Sequence, residues 1–296
     1  MRKNNRAGYL FILPILILFL VFVLYPIIYN FVISFKDWNG IAKTMKDAGF
    51  ANYSMMKKDP VIGKIMRNFF IFGASTILIQ AFLGMIFASF FYRGLKFAAF
   101  YRTVFYIPVI ATATIVANIF SKILETNRGY LNEMLRAIGL GGMAQPWLAV
   151  PNLALVCIIY INIWQWMGYS MLMYYANMLN IPGDIYEAAT IDGASNTQQF
   201  FRITLPLLRS THFTLFILGA LGSLKCFDLP FVLTKGGPNY ATEFFSTYIY
   251  KQSFEMFNQG YASAIVMFMF LIAMLITLAQ LKLYSRNDKD KELANV

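Results

Sequence analysis

Six stretches of this chain are apolar for long enough to cross a lipid bilayer, and that feature removes most folds from consideration. They cover residues 8–35, 69–92, 103–124, 152–178, 212–234 and 261–284. A bilayer core needs roughly 20 helical residues per crossing. Backbone inside hydrocarbon must also satisfy its own hydrogen bonds, which leaves helices and closed barrels. Barrel strands read as short alternating segments, whereas these runs are continuous. Composition agrees: 58% of residues are hydrophobic and 13% charged, against about a quarter charged in soluble domains. The expected fold is an all-α integral membrane protein with six transmembrane helices, residues 1–296 forming one transmembrane domain. The first run is about twice as long as the apolar part of a signal peptide and lacks a small-residue cleavage site, so it reads as a retained helix.

The net charge of +11 is scattered over loops, not gathered into a nucleic-acid-binding patch, and reflects orientation and lipid headgroups. Arg2, Lys3 and Arg6 precede the first helix, and Arg93, Lys96 and Arg102 fill the short second turn. That bias favours both termini in the cytoplasm, although the 36–67 loop is basic too. Cys157 and Cys226 fall inside apolar runs and describe no disulfide framework. His212 is the only histidine; it excludes a multi-histidine metal site and reads as an interfacial anchor. Residues 125–151 contain NRGYLNEMLRAIGLGG, a short amphipathic helix ended by Gly141 and Gly142. The charged tail 285–296 reads as mobile.

One polar interruption stands out. YEAATIDGASNTQQFFRITLPLL, 186–208, separates the fourth and fifth runs. Pro182 suits a first helical turn, and Asp184 and Glu187 complement the positive end of the helix dipole. Gly193 is placed to stop that helix with a left-handed residue. Ser195 with Gln198 three residues on is a capping box, and Pro206 ends the second helix. Two short helices result, bearing small residues, one exposed acid and the Phe200–Phe201 pair. A lipid-lying helix favours Lys and Arg on its polar face. The first of these has none, so it fits a protein groove better.

This segment resembles the EAA loop of ABC-importer permeases, E-A-A, three residues, G, nine residues, I-x-L-P. Glu187, Ala188, Ala189, Gly193, Ile203, Leu205 and Pro206 occupy every fixed position. The first helix, YLFILPILILFLVFVLYPIIYNFVISFKDW, and LTKGGP after the fifth are similar to the sugar-importer branch, of maltose and glycerol-phosphate type. The resemblance implies the type I permease fold, a bacterial-type cytoplasmic (inner) membrane location, and a coupling loop at about 179–211 seated on a cytoplasmic ATPase. It also implies a second permease, two ATPase subunits and an extracytoplasmic sugar-binding protein as partners. ATP and magnesium belong to the ATPases. This chain has no G-x-x-x-x-G-K-[ST], so no cofactor and no enzymatic activity of its own are expected.

For the carried solute, Asn162, Trp166 and Tyr169 stand at i, i+4 and i+7, one helix face. Gly219, Gly222, Ser223 and Cys226 form a second stripe on the fifth run. In maltose-type permeases, positions equally far from the EAA loop line the sugar cavity. Aromatic platforms stack on sugar C–H faces while amides and hydroxyls take directed hydrogen bonds. The other reading is that Gly219 and Gly222 let helices pack closely. Lys225 and Asp228, three apart, are expected to form an intramembrane ion pair. The leading function is the permease subunit of a sugar importer, with an oligosaccharide as the expected cargo. The alternatives are a permease for another solute such as glycerol phosphate, or a secondary transporter, which would show an internal repeat.

Overall fold

The computed structural model describes the backbone of residues 6–92 and 94–294, and the side chains of 11–92 and 94–283. Arg2, Lys3 and Arg93 therefore lie outside the described residues. Among the described residues, four continuous helices are long and apolar enough to span a membrane: Phe11–Ile33, Pro60–Tyr92, Pro151–Met178 and Gln259–Leu283. Two bent pairs are apolar enough as well, Ala98–Ile110 with Ala113–Ile123 at 94° and Asn196–Leu207 with Arg209–Leu224 at 62°; counted as one span each, they bring the total to six.

Two compact units make up the chain. The first joins Met1–Ile62 to Tyr248–Ile272. In it, Lys36–Asp37 and Lys46–Asp47 form a small antiparallel hairpin, followed by the Ala51–Lys58 helix. The loop expected over 36–67 is thus shorter, because Pro60 opens the second span seven residues before Arg67. Pro60 suits that start since a first-turn N–H needs no partner. Asp59 caps it by accepting the Val61 N–H at 2.8 Å. The same carboxylate accepts hydroxyls from Tyr248 at 2.6 Å and Tyr261 at 2.7 Å. Asn52 is buried and donates to the Ser34 and Lys36 carbonyls, both at 2.9 Å.

The second unit joins Gly63–Thr247 to Ala273–Val296. Its core lies along the Pro151–Met178 helix, where Ala154, Ile158, Ile161, Met171, Tyr174 and Met178 are fully buried. Glycines set the crossings. A Cβ on Gly168 would strike the Phe105 carbonyl, and one on Gly84 would come within 2.8 Å of the Met171 nitrogen. Helices without side chains at those points approach more closely. Lys64 donates to the Asn239 carbonyl at 2.9 Å, and Asn68 to Ala241 and Glu243 at 3.0 Å. These bonds tie the turn after LTKGGP to the second span.

Three expectations need correction. The run 103–124 is not one helix, because Ala111 and Thr112 are extended (ψ 136° and 144°) and restart the chain in a new direction. The run 212–234 is also interrupted, by Lys225–Phe227, between Arg209–Leu224 and Asp228–Thr234. Cys226 consequently lies in a break. The amphipathic helix Tyr130–Ala137 ends earlier than expected, at a left-handed Gly139 (φ +81°). Gly139 N–H to Arg136 O and Leu140 N–H to Leu135 O close it in the Schellman pattern. Just before it, Glu125 accepts the N–H groups of Asn127 and Arg128, which holds its carboxyl below the usual carboxylate range.

Candidate functional site

A cavity of about 470 Å³ opens among the helices of the second unit. Asn162, Trp166 and Tyr169 line it together with Gly219, Gly222, Ser223 and Cys226, so the two stripes read from the sequence face one space. Trp166 and Tyr169 meet edge to face with ring centroids 6.3 Å apart. Lys225 and Asp228 stand on the same wall.

The two glycines separate. A Cβ on Gly219 would lie 2.5 Å from Ile77 Cγ1, whereas one on Gly222 meets nothing within 4 Å. Gly219 serves helix contact and Gly222 leaves room in the cavity. Their shared stripe hides two different jobs.

The expected Lys225–Asp228 ion pair is absent among the described residues, and the helix break explains it. An i,i+3 pairing needs continuous helix, but Lys225 closes one helix and Asp228 opens the next. Each charge has the sign that its own helix end favours. Asp228 Oδ1 instead accepts the Thr114 hydroxyl at 3.1 Å.

The cavity also takes Phe72, Thr76 and Gln80 from the second span and Gln165 from the fourth, none of them anticipated. Gln80 Nε2 donates to the Asn162 carbonyl at 3.1 Å and to Asn162 Oδ1 at 3.0 Å. Gln165 is 1% exposed and donates through Nε2 to the Ala111 carbonyl at 3.1 Å. That carbonyl sits at the 94° break, outside both helices. A signal was present: Thr76 and Gln80 are i,i+4 polar residues in an apolar run, and Gln165 is i+3 from Asn162, hence on its face.

The segment around 183–207 folds as two helical pieces. Gly183–Ile191 follows Pro182, and Gly193 (φ +78°) ends it, with Ala194 N–H bonding Ala189 O at 2.9 Å. The Ser195–Gln198 capping box is formed. A π-turn, Phe200–Thr204, precedes Leu205 and Pro206, a local form frequent at functional sites. Two bonds fasten the pieces, Tyr186 Oη to Thr204 Oγ1 at 2.9 Å and Gln199 Nε2 to Thr190 Oγ1 at 3.0 Å. Glu187 and Ala188 are exposed, while Ala189, Ile203 and Leu205 are half-buried. Ile191 is 86% exposed and Phe201 59%, which puts apolar surface beside an acid.

His212 is not a surface anchor. At the 62° bend its Nε2 faces the Leu205 carbonyl at 3.2 Å and its Nδ1 faces Tyr174 Oη at 2.7 Å. A carbonyl can only accept, so the proton sits on Nε2 and Nδ1 accepts from the tyrosine. Leu208, at the bend itself, is 1% exposed.

Residues 80–289 match the model of the family described as binding-protein-dependent transport system inner membrane component. The chain is 34% identical to the probable ABC transporter permease protein YurN of Bacillus subtilis (strain 168), over 97% of this chain and 99% of that one. It is 30% identical to the lactose transport system permease protein LacF of Rhizobium radiobacter, covering 97% and 96% respectively. Among solved structures, a bacterial ABC transporter involved in the import of the acidic polysaccharide alginate superposes with a TM-score of 0.83. The sequence identity there is 25%, and 95% of this chain and 96% of that chain are covered.

Proposed function

Because the chain belongs to the family of binding-protein-dependent transport inner membrane components, we propose that it is a membrane-spanning subunit of an ATP-driven sugar importer, with an oligosaccharide as cargo. The observation that carries this reading is the cavity: an aromatic corner, Trp166 and Tyr169, and the amides Asn162, Gln80 and Gln165 line one space of about 470 Å³. Pockets of that size with few placed polar groups suit small ligands. The lactose and alginate systems among its relatives support a saccharide cargo. A phosphorylated solute such as glycerol phosphate is the second reading; Lys225 on the wall favours it and Asp228 beside it opposes it.

In this reading the chain assembles with a second permease, two ATPase subunits and an extracytoplasmic binding protein. Residues 183–207 seat in a cleft of an ATPase. Glu187 meets it by charge, Ile191 and Phe201 by apolar contact, and the open side of Gly193 admits its backbone. Pro206 and Leu205 pass the movement to the Arg209–Leu224 helix, and the cavity opens alternately to each side. Both termini and the Ser195 turn are cytoplasmic, and Asn239 is outside.

The assembled transporter in proteoliposomes tests this. Trp166→Ala or Tyr169→Ala lowers uptake of the transported oligosaccharide while complex yield and the binding protein's affinity hold. Unchanged uptake by both variants removes the aromatic corner from the path. Glu187→Lys or Gly193→Val leaves an inserted protein whose substrate-stimulated ATP hydrolysis is lost; wild-type rates in both would end the coupling role. Cysteines placed at Ser195 and Asn239 label from opposite faces, and labelling from one face overturns the orientation.

A further inference from the structure

Between Ile123, where the 94° bent pair ends, and Pro151, where the next span opens, the chain forms the helix Tyr130–Ala137. Both of its neighbours in sequence are membrane segments, so it sits at a face of the bilayer. One side of this helix is fastened to the protein. Asn132 is buried, donates to the Thr126 carbonyl at 3.0 Å and the Gln145 carbonyl at 2.9 Å, and accepts the Trp147 Nε1–H at 2.7 Å. Leu131 and Trp147 pack against the core of the second unit, and Leu135 is half-buried.

The adjoining side is bare and apolar. Tyr130, Met134 and the capping residue Ile138 are 68%, 60% and 58% exposed. They stand at i, i+4 and i+8 and share one face, because four residues advance a helix by only about 40°. Around the helix this stripe runs straight into Leu131 and Leu135, while the exposed Glu133 and Arg136 take the remaining arc. Surfaces that dock a soluble partner are closed by a polar rim, and this one has none where it meets the core. Leu140, Met143 and Val150 are exposed as well, the last of them one residue before Pro151. Lys122, Arg128 and Arg136 outnumber Glu125 and Glu133, and both Glu125 oxygens are spent on backbone N–H groups. An apolar stripe holding a tyrosine, with cations around it, is the pattern of a helix lying in a membrane interface. The Gly183–Ile191 helix, without a basic residue, has the opposite pattern.

We propose that residues 130–138 are an interfacial anchor whose occupant is phospholipid: Tyr130, Met134 and Ile138 seat among the first acyl carbons, and Arg128 and Arg136 face lipid phosphates. The stripe enters the leaflet by about 5–10 Å. Asn132 and the Glu125–Gly129 turn, closed by a 3.1 Å bond, then set the depth at which the bent span ends. This depends neither on the cargo nor on which face is cytoplasmic.

The test uses the full complex, freed of other reactive cysteines and reconstituted in lipid nanodiscs. Tyr130→Cys, Met134→Cys and Glu133→Cys each carry a bimane fluorophore. Phosphatidylcholine bearing a nitroxide near the glycerol, or near the methyl end of the chain, serves as the quencher from lipid, and iodide as the quencher from water. At Tyr130 and Met134 the emission shifts to the blue, and the shallow nitroxide quenches at least about twofold more than the deep one, as the interfacial depth requires. Glu133 shows the reverse, quenched by iodide and hardly by lipid. Should either stripe variant fail to assemble, Ile138→Cys carries the comparison. Iodide quenching at Met134 equal to that at Glu133 overturns the anchor. Blue emission without nitroxide quenching, or protection from iodide only once loaded binding protein is added, assigns the stripe to a protein and overturns it too.

Discussion

The two bends in this chain solve one problem in different ways. Each breaks a helix within an apolar setting, and each has a carbonyl bonded by a polar side chain from another helix or helical turn. At the 94° break, Gln165 donates to Ala111 O; at the 62° bend, His212 donates to Leu205 O. In hydrocarbon surroundings irregular backbone is tolerated only where protein or an enclosed cavity satisfies it. The difference lies on the far side of each side chain. His212 uses its second nitrogen on Tyr174, so that joint is closed. Gln165 has its second polar atom buried and unbonded. The joint at His212 has both polar atoms bonded, while the one at Gln165 leaves a buried acceptor unmatched.

The largest effect is expected from filling the crossing that holds the 94° break in place. Gly168→Val drives a side chain into backbone at Phe105, which no rotamer relieves, and overpacking of this kind costs about 3 kcal/mol. The complex should lose most of its yield and its thermal midpoint; a normal midpoint would mean that the break is not held there. Next comes His212→Leu, which strips both bonds from the closed joint at about 2 kcal/mol. ATP hydrolysis should persist while its stimulation by loaded binding protein falls, and retained stimulation would break the contrast drawn above. Smaller again is Thr112→Val. Thr112 caps the second half of the bent span through a 3.4 Å bond from Ile115 N–H, and losing it costs about 1 kcal/mol. A shift of a few degrees in melting, with uptake nearly intact, is the expected result. Smallest is Gly222→Ala, which has open space and should change stability by less than about 0.5 kcal/mol. Gly219→Ala, against Ile77, should cost more, and equal effects would erase the distinction between the two glycines.

Much of the molecule is legible from local signals. Pro182, Gly193 and the Ser195–Gln198 box write the 183–207 segment into the sequence because caps act over a few residues. The cavity stripes follow from helical arithmetic on Asn162, Trp166 and Tyr169. The breaks are not legible in the same way. Neither Ala111–Thr112 nor Lys225–Phe227 contains glycine or proline. At Ala111 it is a partner from elsewhere in the chain that allows the backbone to leave the helix. Reading 212–234 as continuous is what produced an ion pair between Lys225 and Asp228. A single histidine reads as an anchor because no sequence neighbour reveals the two partners that His212 has, Tyr174 and Leu205.

Asp59 carries a consequence for the order in which the molecule is made. Its carboxylate caps the second span, yet two of its three donors are the hydroxyls of Tyr248 and Tyr261, 189 and 202 positions further along. At ribosomal speeds of about 5–20 residues per second, those tyrosines follow it by roughly 10–40 s. Through that interval the first unit holds an acid two of whose three partners have not yet been synthesised. The unit begun first therefore closes only after residues 63–247 of the second have been made, and a ribosome stalled between residues 62 and 248 leaves it open.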